Sequence, residues 1–340
     1  MKRVVAYLLP GHPKPIGGFK FIYRLAKEQS HLYNIRVIHV PSDNGLIGIF
    51  RFILSVFRNK FKDYAHEEFG IRVEYSIGIK NIMQKSDRVY ICSWQLMLEY
   101  KTAIISNQDK CIHFVMDFPG FMGPEDKVLG AWDLNIRYYA ISSYLQRYFI
   151  EKKKNDCALF GCIIPNHFPI DNNTKIPRTV LMNYSSGAYK NSKTTLVIAE
   201  MLAKKGFKVT LFGRESVGSI SHHNLTWKVG LTDLEVSRLY MNSEFFISLS
   251  SFEGFGIPSL EALLYGCLLI TSDNFGNRDY LIDGAMSILP SGYHVTDVFK
   301  ELDNLLSCSL IDRQWRISKG KTLAEGYLSL SDVQLQLLTV

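Results

Sequence analysis

No run of about eighteen apolar residues, the length a helix needs to cross a bilayer, occurs in this 340-residue chain, so no transmembrane helix is expected. Met1, Lys2 and Arg3 are followed by a brief apolar run, residues 4–9, that stops at Pro10 and Gly11. Such a segment reads as a first β-strand, not a signal peptide. Cysteine is sparse: the six residues at 92, 111, 157, 162, 267 and 308 form no C-x-x-C pair and sit mostly in apolar segments. That pattern excludes a disulfide framework or a cysteine metal site and indicates buried thiols in a reducing compartment. Histidine offers no H-x-x-x-H spacing, and His222-His223 reads as a polar loop pair. No zinc site is therefore expected. Internal repeats and low-complexity tracts are missing too, which excludes a solenoid or a long disordered tail.

What is present is enough apolar material for two cores, 47% hydrophobic and 13% aromatic residues, in a length that suggests two domains. Charge is divided unevenly. Residues 1–165 hold 23 Lys and Arg against 15 Asp and Glu, a net of +8, whereas residues 166–340 hold 16 against 17, a net of −1. No nucleic-acid motif accompanies the basic half, so an anionic membrane surface or a lipid diphosphate is the better partner. Within that half, residues 46–62 have helical periodicity. Arg51, Ser55, Arg58, Asn59 and Lys62 fall on one face, and Leu46, Ile49, Phe50, Ile53, Leu54, Val56, Phe57 and Phe61 cover the rest. A membrane-interfacial helix and an ordinary core helix with a basic solvent face both fit this pattern.

The chain is organised around residues 250–262, S-S-F-E-G-F-G-I-P-S-L-E-A. An apolar strand precedes it and a helix opening near Pro258 follows, so Glu253 is expected at a strand-to-helix turn. Gly254 and Gly256 bracket Phe255 and let the backbone approach a ligand. Amides of the following first turn, from Gly256 and Ile257 onward, suit a phosphate. Glu261 is placed on the same helix, and a carboxylate accepts both hydroxyls of a sugar diol. Amides and acids together read as a nucleotide-sugar site.

With Gly266 and the apolar residues 267–271 behind it, this E-G-F-G-I-P-S-L-E-A block resembles the donor-site signature of retaining GT-B glycosyltransferases, the glycosyltransferase family 4-like or group 1 enzymes. The resemblance is strong over residues 250–290 and loose before residue 165. It implies an α/β chain of two Rossmann-like, doubly wound parallel-sheet domains facing each other across a cleft: residues 1–168, a linker at 169–178, a donor domain at 179–315, and a helical tail at 316–340 crossing back to the first domain. It further implies that Glu253 orients the donor sugar, that Glu261 holds the ribose, and that Asp117 faces the reacting carbon or the acceptor. Met116 stands where relatives often carry His or Gln. Lys190 fits one of the two basic positions for the donor phosphates, while Ser186 or Gly187 occupies the other, leaving Arg214 as a further candidate cation. In the first domain, Gly17 and Gly18 follow strand 4–9 and either face the diphosphate or simply form a tight turn. Trp227 is a base-stacking candidate, with a core role the simpler expectation.

The activity implied is retaining transfer of a hexosyl-type sugar, with no tightly bound metal and no cofactor, from a nucleotide-diphosphate sugar to a saccharide, lipid-linked and destined for bacterial surface polysaccharide such as O-antigen or capsule. The place implied is the cytoplasmic side of a membrane. A non-catalytic nucleotide-sugar-binding scaffold is the alternative, because of Met116 and the absent arginine.

Overall fold

A computed structural model describes residues 2–59, 63–116, 118–120, 123–165, 168–169, 175–215, 222–282 and 284–339. The chain divides into two compact units, residues 1–166 with 330–340, and residues 167–329.

Unit 1 holds a parallel sheet of β1 (Val4–Pro10), β2 (Asn34–Val40), β3 (Val73–Tyr75), β4 (Arg88–Ile91), β5 (Cys111–Val115), β6 (Arg137–Ala140) and β7 (Ala158–Leu159), in the order β3-β2-β1-β4-β5-β6-β7. Its helices are α1 (Gly17–Gln29), α2 (Leu46–Phe57), α3 (Tyr64–Phe69), α4 (Lys80–Lys85), α5 (Trp94–Glu99), α6 (Lys101–Ile105), α7 (Glu125–Ala131) and α8 (Ser143–Lys153). All five residues of β5 are buried, as a parallel strand covered on both faces requires. In α1, Phe21, Ile22, Leu25 and Ala26 repeat at helical spacing, and all are buried.

Unit 2 is built the same way from β8 (Ile176–Tyr184), β9 (Lys208–Gly213), β10 (Leu225–Val229), β11 (Ser243–Ser248), β12 (Leu268–Ser272) and β13 (Ser287–Leu289), ordered β10-β9-β8-β11-β12-β13. Around it lie α9 (Ser192–Lys204), α10 (Asp233–Asn242), α11 (Ile257–Leu264), α12 (Val295–Ser307) and α13 (Leu310–Glu325). Thr232 caps α10 as its sequence predicts, accepting from the Glu235 amide while the Glu235 carboxylate accepts from the Thr232 amide. Both sheets are doubly wound and all parallel, each reversing direction once, between β1 and β4 and between β8 and β11. Ligands of such sheets bind outside the carboxyl ends of the strands at that reversal.

Several boundaries differ from the sequence reading. The tail expected from residue 316 begins at residue 330, because α13 packs on α11 so tightly that a Cβ on Gly320 would come 2.9 Å from Leu263. Only the last helix, α14 (Asp332–Thr339), belongs to unit 1. Its final carbonyls accept from Arg88 and Tyr139, at 2.6 Å to Leu338 O and 2.9 Å to Leu337 O. The linker expected at 169–178 already contains the start of β8, and residues 170–174 lie outside the described set. Residues 94–105 form two short helices, α5 and α6, that meet at Tyr100, whose hydroxyl donates to Pro41 O at 3.1 Å. The helical pattern over 46–62 gives a helix that ends at Phe57, with residues 60–62 outside the described set.

Candidate functional site

The reversal in unit 2 brings two loops together. One follows β8 and carries Lys190; the other follows β11 and carries Glu253. Lys190 Nζ donates to Glu253 Oε1 at 2.6 Å, with both side chains mostly buried. The loops are also joined by backbone, Ser251 N donating to Tyr189 O at 2.7 Å. Asn191, with a left-handed backbone (φ 48°), donates from its side chain to Leu249 O at 2.8 Å, and Tyr293 donates to the same carbonyl at 3.0 Å. The lysine is thereby held from both sides of its loop.

The turn after Glu253 is braced from below by the loop that follows β12. Glu253 N donates to Asn274 O at 3.0 Å, and Glu253 forms an isolated parallel bridge with Phe275. Gly276 packs so closely beneath that a Cβ there would sit 2.3 Å from Glu253 O. Gly256 takes φ +86°, and Tyr280 donates to its carbonyl at 2.6 Å. Asn274 and Asn277 exchange amide-to-side-chain bonds at 3.0 and 3.1 Å. Phe275 adopts φ 65°, rare for a side-chain-bearing residue. Its ring stacks on Phe252 at 4.8 Å and carries the Arg278 guanidinium at 4.3 Å. Arg278 also grips Asp273 through two nitrogens and holds that carboxyl below its usual range.

Helix α11 starts at this turn. No side chain caps it, and Pro258 lies in its first turn, so backbone amides such as that of Ile257 remain for an anion. Phe255 turns its ring into the core against Tyr280 and Tyr327, at 5.5 and 5.6 Å, and with Gly254 it offers a ligand only backbone. Glu261 lies one turn into α11 and is half-buried, its Oε2 accepting from Tyr240 at 3.3 Å. Burial first, and the neighbouring Glu261 second, push the Tyr240 phenol well above its ordinary pKa, so it remains a donor.

The other residues singled out from sequence are more dispersed. Arg214 follows β9 at the same sheet edge and is exposed. Trp227 is half-buried, its ring edge-on to Tyr184 at 4.9 Å and packed on the unit 2 core, which favours the structural role. Gly17 and Gly18 open α1 at the carboxyl end of β1 in unit 1, and a Cβ on Gly18 would meet nothing within 4 Å. Close packing therefore does not require that glycine. Asp117 lies outside the described residues, directly after the half-buried Met116. Sequence reasoning missed Asn191, Tyr280, Tyr293 and the Asn274–Asn277 pair. Density of Asn, Asp and Gly over 273–279 marks a turn, but its partner is a strand end more than twenty residues earlier.

Among the described residues no group of three or more His, Cys, Asp or Glu converges as metal ligands would. Residues 188–322 match the family described as Glycosyl transferases group 1. Over its whole length the chain superposes on HepE of Anabaena, solved in complex with UDP-glucose, with TM-score 0.74 at 13% identity, covering 99% of this chain and 98% of that one. WaaG, a glycosyltransferase involved in lipopolysaccharide biosynthesis, superposes with TM-score 0.62 at 12% identity over 97% and 96% of the two chains. A protein named glycosyltransferase 41, of Sulfolobus islandicus filamentous virus, is 44% identical over 52 residues, a match spanning 15% of this chain and 16% of that relative.

Proposed function

We propose, for a chain with the GT-B fold and a glycosyl transferases group 1 region over residues 188–322, the transfer of a hexosyl-type sugar from a nucleotide-diphosphate sugar to a saccharide with retained anomeric configuration. The observation that carries this reading is the contact of Lys190 with Glu253 at the reversal of the unit 2 sheet, beside the uncapped start of α11 and one helical turn from Glu261. A cation and amides suit a diphosphate, and the two carboxylates suit diols. The UDP-glucose complex of HepE supports the same donor class.

In this reading Glu261, held by Tyr240, accepts the ribose hydroxyls. Glu253 accepts from the donor sugar and stabilises positive charge at its ring. Lys190 and the α11 amides take the charge of the departing diphosphate without a divalent ion. The acceptor oxygen bonds to the anomeric carbon on the face from which the diphosphate leaves, as the carbon–oxygen bond to phosphate breaks. The acceptor proton passes to a phosphate oxygen. Asp117 is assigned to the reacting carbon or the acceptor, and Arg214, Gly17 and Gly18 to the donor phosphates. The acceptor is a lipid-linked saccharide of surface polysaccharide synthesis, met at the cytoplasmic face of a membrane. Among the described residues no helix is long and apolar enough to cross one.

Thermal-shift titration with a panel of nucleotide sugars, followed by NMR of the product's anomeric configuration, tests the reading. No stabilisation by any of them would remove it, and an inverted product would remove retention. A second reading, a nucleotide-sugar-binding scaffold, draws on Met116 beside Asp117 and on the small Ser186 and Gly187 in the lysine loop. Donor binding with neither hydrolysis nor transfer selects it.

A further inference from the structure

Helix α2 is apolar nearly all round, and its two sides meet different surroundings. At 100° per residue, Gly48, Phe52, Val56, Ile49 and Ile53 face inward: Gly48 and Phe52 are buried and the others half-buried. Leu46, Phe57, Phe50, Leu54 and Ile47 fall on a single outward arc of about 100°. Leu46 is 89% exposed, Phe57 84%, Ile47 67% and Phe50 61%. Arg58 and Arg51, both exposed, border this arc on one side. The bare face is thus the apolar one, with cations along its edge. The sequence pattern alone, which grouped Ile49 and Ile53 with Phe50 and Phe57, does not distinguish it from a core face.

Nor can the helix roll to hide this face while its ends stay as they are. At its start Asn44 N donates to the Glu99 carboxylate at 2.7 Å and Gly45 N to Asp43 at 2.9 Å. A Cβ on Gly48 would strike Asp43 at 2.4 Å. At its end the buried Asn59 donates to Pro13 O at 3.1 Å. Between them Phe52 packs against Tyr75 with ring centroids 6.5 Å apart. A fixed helix of twelve residues, roughly 18 Å long, is too short to cross a bilayer and suited to lie in its surface.

We infer that the Leu46–Ile47–Phe50–Phe57 face of α2 is a membrane-docking surface that enters the headgroup boundary of an anionic lipid bilayer, with Arg51 and Arg58 on lipid phosphates. Charge complementarity selects this occupant over an apolar protein partner. The arc is edged by Arg51 and Arg58, the chain continues through Lys60 and Lys62, and the net of +8 over residues 1–165 contrasts with −1 over the remainder. The inference stands independently of donor chemistry, since no residue of the unit 2 site takes part.

The test is co-sedimentation of the full chain with phosphatidylcholine vesicles with and without phosphatidylglycerol, beside size exclusion without lipid. The unaltered protein should pellet with the anionic vesicles and be released by salt. Phe50→Ser/Phe57→Ser should lower the bound fraction by about tenfold, and Arg51→Glu/Arg58→Glu should abolish the preference for anionic lipid. Nucleotide-sugar binding and melting temperature, unchanged in both variants, certify that these exposed substitutions leave the fold intact. Absence of binding to anionic vesicles, or binding indifferent to Phe50→Ser/Phe57→Ser, overturns the inference. So does a lipid-free dimer that Phe50→Ser/Phe57→Ser dissociates, which would assign the face to a second copy of this chain.

Discussion

Lys190 Nζ lies 2.6 Å from Glu253 Oε1, a contact between loops sixty-three residues apart in sequence. The lysine's charge is compensated by the very carboxylate assigned to the donor sugar. A diphosphate must therefore compete with Glu253 for it. Glu253→Gln is expected to leave nucleoside diphosphate affinity equal or higher while nearly abolishing transfer. Lys190→Ala should weaken diphosphate binding by on the order of 1.5–3 kcal/mol, the value of a charge-assisted hydrogen bond. Calorimetry with nucleoside diphosphate, set against turnover of the nucleotide sugar, checks both. Weaker binding in Glu253→Gln would show that the pair is not in competition with the ligand.

Glu261 serves two partners in the proposed function, the ribose and the buried Tyr240 hydroxyl. Glu261→Ala is expected to weaken nucleoside binding and also to strand Tyr240, lowering stability by about 1–3 kcal/mol. Glu261→Gln keeps an acceptor for the phenol, so it should recover stability without recovering affinity. Paired urea melts and titrations separate the two effects.

Tyr280 holds the Gly256 carbonyl, and the left-handed Gly256 has no room for a methyl group because its Cβ would lie 2.6 Å from the Tyr280 oxygen. Tyr280→Phe should cost about 1 kcal/mol. Gly256→Ala should cost more, about 1–2 kcal/mol from backbone conformation alone and a further amount from displacing the tyrosine. Turnover should fall in both because the Glu253 turn loses its brace. Equal stability in the two variants, by denaturant unfolding, would contradict this account.

Acid should destabilise unit 1 first. Burial lowers His39 to about 3 and His113 to about 4, though each has a backbone carbonyl within hydrogen-bonding distance of its Nδ1. Folded-state values below the ordinary one of about 6.5 mean that the unfolded chain binds more protons beneath that pH. The stability contributed by keeping these rings neutral is complete above about pH 6.5. It is lost as pH falls towards the folded-state values. Hydrogen exchange of the full chain at descending pH should show β2 and β5 losing protection before β11 and β12, and His113→Asn should weaken that dependence.

An apolar run and the glycine-proline turn were enough to place Glu253 at a strand-to-helix junction, because those features depend on local periodicity and backbone conformation, whereas the two parallel-sheet units followed from the resemblance to GT-B enzymes. The capping box of α10 was legible for the same reason: both partners lie within one helical turn. Its neighbour Tyr240 was not, since a phenol that meets Glu261 twenty-one residues later leaves no local trace. The tail boundary was misread because a glycine at 320 matters only through its fit against Leu263.

Composition and spacing alone determined a turn suited to phosphate, a carboxylate on either side of a helix start and a basic first half, while the resemblance carried by residues 250–262 implied the α/β fold. Tertiary structure decided that Lys190 meets Glu253, that the loop of Asn274 to Tyr280 braces the turn, and that α2 leaves bare the face carrying Phe50 and Phe57. The division follows from distance along the chain: periodicity is written in consecutive residues, whereas a contact across a sheet reversal exists only once the strands have been ordered.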